Sequence, residues 1–331
     1  MIFIEHPSND AAFFFATEEY FAGIGKMSAP VFLLWQTKPT AMLGCNQVLQ
    51  AEINEVLAKE NDVSIVRRRS GGGTIFTDPG TFLYTIILPW DGNSDNKELL
   101  REYLVKPLLS VLRSFGIPAQ LEGRNDILLD GRKISGLAQY VQKDRIVSHG
   151  SLLYNADLEL LGSLLVVDPE KIKSKSITSV RKRVTNLCEY MKEAPSTPEF
   201  RKVLSKRLRE ALKSENYDLS ENQLENIEAI RLERYSNDDW TYGHNPSYEF
   251  NNSKRYPGGK LDISYITKKG RITDFRIRGD FMGLSEISEL EKLFINQLPE
   301  RSTFEKIISE NSDIIRNCLG SLSGDDIINC I

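Results

Sequence analysis

Two short stretches of this chain carry groups suited to holding an anion and reacting with it. The first, Arg67-Arg68-Arg69-Ser70-Gly71-Gly72-Gly73-Thr74-Ile75-Phe76-Thr77-Asp78, runs three cations into three glycines. Fixed positive charge thus lies beside backbone that a ligand can approach closely, a phosphate site in outline. It fits neither Gly-x-x-x-x-Gly-Lys-[Ser/Thr] nor Gly-x-Gly-x-x-Gly, which excludes a P-loop and a dinucleotide turn. The glycines alone suit a hairpin corner with a solvated basic edge at least as well. The second stretch runs from Asp126 to Ser135, where Asp130-Gly131 between two strand-like runs suits a two-residue type I′ turn. That turn pairs Leu129 with Arg132, Leu128 with Lys133 and Asp126 with Ser135, so Asp126, Lys133 and Ser135 share one face. A carboxylate and an ammonium then stand a diagonal apart on a rigid platform.

A lysine within an apolar strand pair is costly unless it faces an anion or a carboxylate. Lys133 could pair with Asp126 on a wet sheet face, an even alternative to a ligand role. If the ligand is ATP and the second substrate a carboxylic acid, attack on the α-phosphorus develops charge on the phosphoryl oxygens. The site then needs fixed cations, backbone N–H groups and a metal-binding carboxylate. Arg68, Gly71 to Gly73, Lys133 and Asp126 supply that set. A hydrolase triad is poorly supported, since no Gly-x-Ser-x-Gly elbow exists and His149 has no evident nucleophile. A third stretch, Lys171 to Arg183, holds six cations and no acid, interrupted by Ser174, Ser176, Thr178 and Ser179. It could fold over an anionic ligand or be a solvated basic turn, and its lack of aromatics argues against RNA.

The elements that must carry these groups read as a mixture of strands and helices. Strands are expected over Ile2–Glu5, Val31–Trp35, Thr40–Leu43, Val63–Val66, Thr74–Phe76, Phe82–Leu88 and Arg145–Tyr154. A buried helix should run from about Ala11 to Ile24 behind Asp10, with a shorter one through Lys59 capped by Asn54 and another opened by Asp157. A long helix from Asn96 to Phe115 should kink at Pro107, and two more are expected from Pro198 to Ser214 and Glu221 to Tyr235. The breaker-rich Tyr242–Pro246 and Asn251–Ser253 mark a boundary, giving domains over residues 1–245 and 250–331. Beyond it, Lys260–Ile266 and Arg271–Arg278 read as a hairpin, with helices near Leu284–Leu298 and Phe304–Cys318.

The 331 residues are 40% apolar and 27% charged, an ordinary globular composition with room for two domains. A net charge of −4 argues against a nucleic acid or an anionic membrane as main partner. Four scattered cysteines without Cys-x-x-Cys fit a reducing compartment and no zinc site. Three dispersed histidines offer no metal cluster. With no basic leader and no membrane-length apolar run, a cytoplasmic location is expected.

Five ordered motifs resemble those of the lipoate-protein ligase A family: Arg68–Gly80, Gly123–Ile127, Arg132–Gly136, Ser148–Leu153 and Ser179–Leu187. The resemblance covers roughly Gly44 to Leu187, and Trp240 to Phe281 resembles the family's accessory domain more faintly. It implies an α+β catalytic domain of the biotin and lipoate ligase type, with mixed and antiparallel sheets, flanking helices and a small α+β C-terminal domain. The implied activity is ATP-dependent activation of lipoate to lipoyl-AMP, then transfer to a lysine of a lipoyl-carrier domain, an E2 subunit or a glycine-cleavage H-type protein. Lys133 would contact the lipoyl carbonyl and the α-phosphate. Arg68, Ser70, Gly71, Gly72, Gly73, Thr74, Ile75, Phe76, Ser135, Ser179 and Arg183 would hold the nucleotide, with Asn125 and Asp126 at the phosphate and Mg²⁺. Gly73, His149 and Leu83, with apolar residues near Leu43, would line the lipoate pocket. The family usually has histidine at Thr77 and asparagine at Thr81, so an altered pocket is expected there. Two alternatives stay open: an octanoyl or lipoyl acyltransferase working through a thioester on Cys45, and a carrier-binding homologue without turnover. A biotin ligase fits less well, since its motif is of the Gly-Arg-Gly-Arg type.

Overall fold

The structure, a computed structural model, describes residues 1–47, 49–92, 95–123, 125–165, 183–241, 250–268, 271–299 and 301–331. In chain order its strands are β1 (Ile2–Ile4), β2 (Val31–Trp35), β3 (Thr40–Leu43), β4 (Ser64–Arg67), β5 (Ile75–Thr77), β6 (Thr81–Pro89), β7 (Gln120–Glu122), β8 (Asp126–Leu129), β9 (Arg132–Gln142), β10 (Arg145–Leu153), β11 (Glu215–Asn216), β12 (Phe250–Tyr256), β13 (Gly259–Lys268) and β14 (Arg271–Gly279).

The main sheet has the order β11-β1-β2-β6-β10-β9-β8-β7. β1 runs parallel to β2 and β11, and the remaining neighbours are antiparallel. Its central strand β6 reads Thr-Phe-Leu-Tyr-Thr-Ile-Ile-Leu-Pro, a near-continuous apolar run, because both faces are covered. Phe82, Tyr84 and Ile86 pack with Leu108, Leu112 and Phe200 on one face, while Leu83 and Ile87 pack with Phe14 and Phe21 on the other. Phe14 and Phe21 belong to the helix Ala11–Ala22, whose cap Asp10 accepts the Ala12 N–H at 3.0 Å. A second sheet, β4-β3-β5, holds the arginine and glycine stretch between β4 and β5.

The expected Asn96–Phe115 helix is broken otherwise than by a simple kink. A π turn over Arg101–Val105 joins the helices Asn96–Leu100 and Lys106–Ser114 just before Pro107, which has no N–H to give the carbonyl four residues back. The strands β7 and β11, three and two residues long, are too short to show a pattern and were invisible in the sequence.

Residues 250–331 build a β12-β13-β14 antiparallel sheet whose core, including Leu261, Phe275, Ile277, Phe294 and Phe304, comes wholly from that segment. Asn251–Ser253, expected to be part of a break, instead lie in the edge strand β12, paired with Asp262–Ser264. Their exposed polar side chains reflect an open sheet face rather than a linker. The expected long C-terminal helices are shorter: Ile287–Lys292, then Arg301–Glu310 and Ser312–Leu319 divided at Asn311. Among the described residues no helix is long and apolar enough to cross a membrane.

Candidate functional site

The Asp130-Gly131 turn forms with both residues at positive φ, 48° and 71°, as a type I′ turn requires. Leu129 pairs with Arg132 and Leu128 with Lys133 as expected. Beyond them a bulge between Ile127 and Leu128 slips the register, so Asp126 faces Gly136 and Ile127 faces Ser135. An extra residue reverses side-chain parity. Ser135 is therefore turned into the core, 1% exposed, with its hydroxyl 2.5 Å from Tyr84 Oη. The expectation that Ser135 shares a face with Lys133 is overturned, and its hydroxyl is turned away from the place expected for nucleotide. Lys133 and Asp126 do meet, Nζ to Oδ1 at 2.7 Å, both about a third exposed.

A cavity of about 100 Å³ opens beside this pair. Lys133, Asn125, Gly72, Gly73, Ile75, Arg68, Leu83 and His149 line it, which brings the glycine stretch and the hairpin lysine to one space. Its apolar wall comes from Phe15, Trp35, Met42 and Leu137. Of the apolar residues near Leu43, Met42 faces the cavity while Leu43 packs in a separate cluster with Ala41 and Leu49. Ser70, Gly71, Thr74 and Phe76 stand in the same stretch without lining the cavity. Ser179 lies outside the described residues. Arg183 is half-buried, and burial lowers its pKa from the ordinary arginine value. Just after it, Thr185 donates its N–H to the Lys133 carbonyl at 3.1 Å, which sets Thr185 beside the hairpin.

The three arginines do not present a charged surface. Arg67 donates to the carbonyls of Gly44 and Gln47 at 3.0 and 2.6 Å and to those of Trp240 and Thr241 at 3.1 Å. Arg68, 5% exposed, donates to Ser70 Oγ and to the carbonyls of Met42, Gly71 and Gly73 at 2.8 to 3.0 Å. Burial pushes both guanidinium groups down to about 10. Arg69 pairs with Glu19 at 3.1 Å and Glu286 at 3.0 Å. These cations act as internal clamps that shape the glycine stretch. Gly72, at a φ of 91°, needs to be glycine, and its N–H donates to the Phe281 carbonyl at 3.1 Å. Met282 from the C-terminal segment closes that side of the cavity, its Sδ 3.9 Å from Asn125 Nδ2.

His149 has partners that the sequence did not reveal. Its Nδ1 lies 3.0 and 3.1 Å from the two oxygens of Glu18, and its Nε2 lies 2.6 Å from Ser70 Oγ. Glu18, 1% exposed, also accepts the Thr85 hydroxyl at 2.6 Å, and Thr85 accepts Trp35 Nε1–H at 3.2 Å. A proton on Nδ1 lets the ring donate to Glu18 while Nε2 meets the Ser70 hydroxyl. The order Ser-His-Glu resembles a nucleophilic triad, but Ser70 is 0% exposed and its oxygen already accepts Arg68 Nε–H. The network is a polar floor for the cavity, not an attacking group. The signal for Glu18 was present: an acid inside Ala-Ala-Phe-Phe-Phe-Ala-Thr-Glu-Glu-Tyr-Phe-Ala must find a buried partner.

Thr77 and Thr81 are both 0% exposed and neither lines the cavity. Thr77 Oγ1 lies 2.7 Å from Thr37 Oγ1, and Thr81 donates to Asp78 Oδ1 at 3.2 Å. Neither hydroxyl is turned into the cavity. Cys45 is also off the cavity, and burial raises its thiol to about 11.

Residues 10–209 match the family model of the lipoyl protein ligase A/B catalytic domain, and residues 245–331 that of the bacterial lipoate protein ligase C-terminus. The chain belongs to the lipoate-protein ligase family. It is 36% identical to the lipoate-protein ligase LplJ of Bacillus subtilis, with 100% of both chains covered. Its fold is similar to that of LipL1 of P. falciparum in complex with lipoate, at a TM-score of 0.77 and 22% identity over 99% of this chain and 98% of that one. It is also similar to a lipoate-protein ligase A bound with ATP, at a TM-score of 0.62 and 21% identity over 73% of this chain and 97% of that one. These ligases are α+β, as this chain is.

Proposed function

We propose that this chain is an ATP-dependent lipoate-protein ligase that makes lipoyl-AMP and passes the lipoyl group to a lysine of a carrier domain, an E2 subunit or an H-type protein. One observation carries the reading: the Lys133 ammonium and the Gly72–Gly73 backbone meet at one cavity that has an apolar wall of Phe15, Trp35, Met42 and Leu137. A carboxylate oxygen of lipoate attacks the α-phosphorus and the bond to pyrophosphate breaks. Lys133 offsets the charge that grows between the acyl carbonyl and the α-phosphate, while the backbone from Gly73 to Phe76 holds the nucleotide. The deprotonated amine of the carrier lysine then attacks the acyl carbon and AMP leaves. The aliphatic chain and dithiolane ring of lipoate suit the wall formed by Phe15, Trp35, Met42 and Leu83. Arg68 contributes by fixing the glycine stretch rather than by touching phosphate.

Among the described residues no three of His, Cys, Asp and Glu gather as a metal site. Magnesium delivered with a nucleotide needs only one or two carboxylates besides phosphates and water, and Asp126 with Asn125 fits that role. Such an ion would screen phosphate charge during attack. Residues 1–245 would then form the catalytic domain and 250–331 an accessory domain with its own core.

The Cys45 thioester route lacks support, because the thiol is off the cavity and holds its proton up to about 11. The carrier-binding reading loses the two threonines that motivated it. The deciding test incubates purified carrier domains with ATP and lipoate and follows intact mass and pyrophosphate. A lipoyl mass gain with pyrophosphate release is expected for the wild-type chain, with at least a hundred-fold slower release for Lys133→Ala. Mass gain without ATP would overturn the reading.

A further inference from the structure

The bulge that sends Ser135 into the core gives its place on the Lys133 face to Gly136, opposite Asp126. A side chain on Gly136 would point where the ammonium now lies. A Cβ built there would sit 2.7 Å from Lys133 Nζ, 2.8 Å from its Cε and 4.0 Å from Asp126 Oδ1, its three nearest atoms. The backbone gives no other reason for glycine, since Gly136 is absent from the residues at positive φ and lies within β9. Gly136 also lines the cavity.

We propose that Gly136 is a positioning residue: its missing side chain lets the Lys133 ammonium fold back along β9 onto Asp126, at the place where lipoate and nucleotide must meet. The inference rests on the ligase reading of Lys133 given above. The atoms in the way of a methyl group are the far end of a flexible side chain rather than backbone, so the sheet survives the substitution while the ammonium moves. Displacement of a charged group by about 1 Å can cost on the order of 10²-fold in rate.

The test compares four full-length proteins: wild type, Gly136→Ala, Lys133→Ala and the double variant. Pyrophosphate release, lipoate affinity by titration calorimetry and thermal unfolding are measured on each. Gly136→Ala is expected to melt close to wild type, to release pyrophosphate about 10- to 100-fold more slowly and to bind lipoate more weakly. In the Lys133→Ala background the same substitution should have no further effect on lipoate affinity, because its action passes through the ammonium. Wild-type behaviour of Gly136→Ala, or a loss that adds in full to that of Lys133→Ala, overturns the inference. Should Gly136→Ala melt early, the affinity cycle measured below its transition decides on the same criterion. Lys133→Ala indistinguishable from wild type would instead sink the reading of the site itself.

Discussion

Glu18 sits inside an apolar helix and answers to three groups from distant parts of the chain, the Thr85 hydroxyl and the His149 ring directly and Trp35 through Thr85. Removing the carboxylate strands a buried imidazole N–H and a hydroxyl, each costing about 1–3 kcal/mol when unpaired. Glu18→Ala should therefore lose about 2–4 kcal/mol in urea unfolding, and Glu18→Gln, which keeps an acceptor oxygen, should lose less; equal losses would show that the hydrogen bonds are not what matters. Cys45 yields a pH prediction with a definite sign. A thiol raised from 9.0 to about 11 is protonated at pH 8 and becomes nucleophilic only as pH climbs toward 11. Its alkylation by iodoacetamide should lag an ordinary thiol by about a hundred-fold at pH 8, and Cys45→Ser should lipoylate at the wild-type rate. Fast alkylation at neutral pH would reopen the thioester route.

The glycine stretch owes its shape to Arg67 and Arg68, whose donors collect carbonyls from β3, from the loop after it and from Trp240 and Thr241. The bonds run both ways, since Trp240 Nε1 donates to the Arg67 carbonyl at 2.9 Å. A lysine offers one point charge where the guanidinium offers a fork. Arg67→Lys should lower stability by about 2–4 kcal/mol with an early change in tryptophan fluorescence; a cooperative transition at the wild-type midpoint would contradict this. The sequence showed both strands flanking this stretch and the Asp-Gly turn, because turn chemistry and apolar alternation are local. It did not show the bulge in the hairpin, since nothing in Ile127-Leu128 or Ile134-Ser135 requires one. The bulge comes from the demand that Ile127 and Ile134, both 0% exposed, fill the core together.

The C-terminal segment touches the site through its own backbone. The Phe281 carbonyl takes the Gly72 N–H, Asn46 accepts the Gly279 N–H at 2.7 Å, and Met282 faces the cavity. Gly71 makes this approach possible, since a Cβ there would lie 2.4 Å from the Phe281 oxygen and 3.1 Å from Met282 Cα. Backbone cannot yield as a flexible side chain can, so Gly71→Ala should push the segment away. A larger radius of gyration by small-angle scattering is the expected outcome, and an unchanged profile would mean that the loop gives way locally.

Read alone, the sequence determined the family, the turn that carries Lys133 and most of the strands, and it offered the pairing of Lys133 with Asp126 as one of two open alternatives. Each of these depends on residues close together in the chain or on an ordered set of motifs. Only the tertiary structure decided which cations face inward, that Ser70, His149 and Glu18 join across 79 and 131 residues of separation, and that Met282 completes the wall. Those outcomes are set by which carbonyls and carboxylates burial leaves in need of a partner. Such a need is created by packing between distant segments, and no local pattern records it.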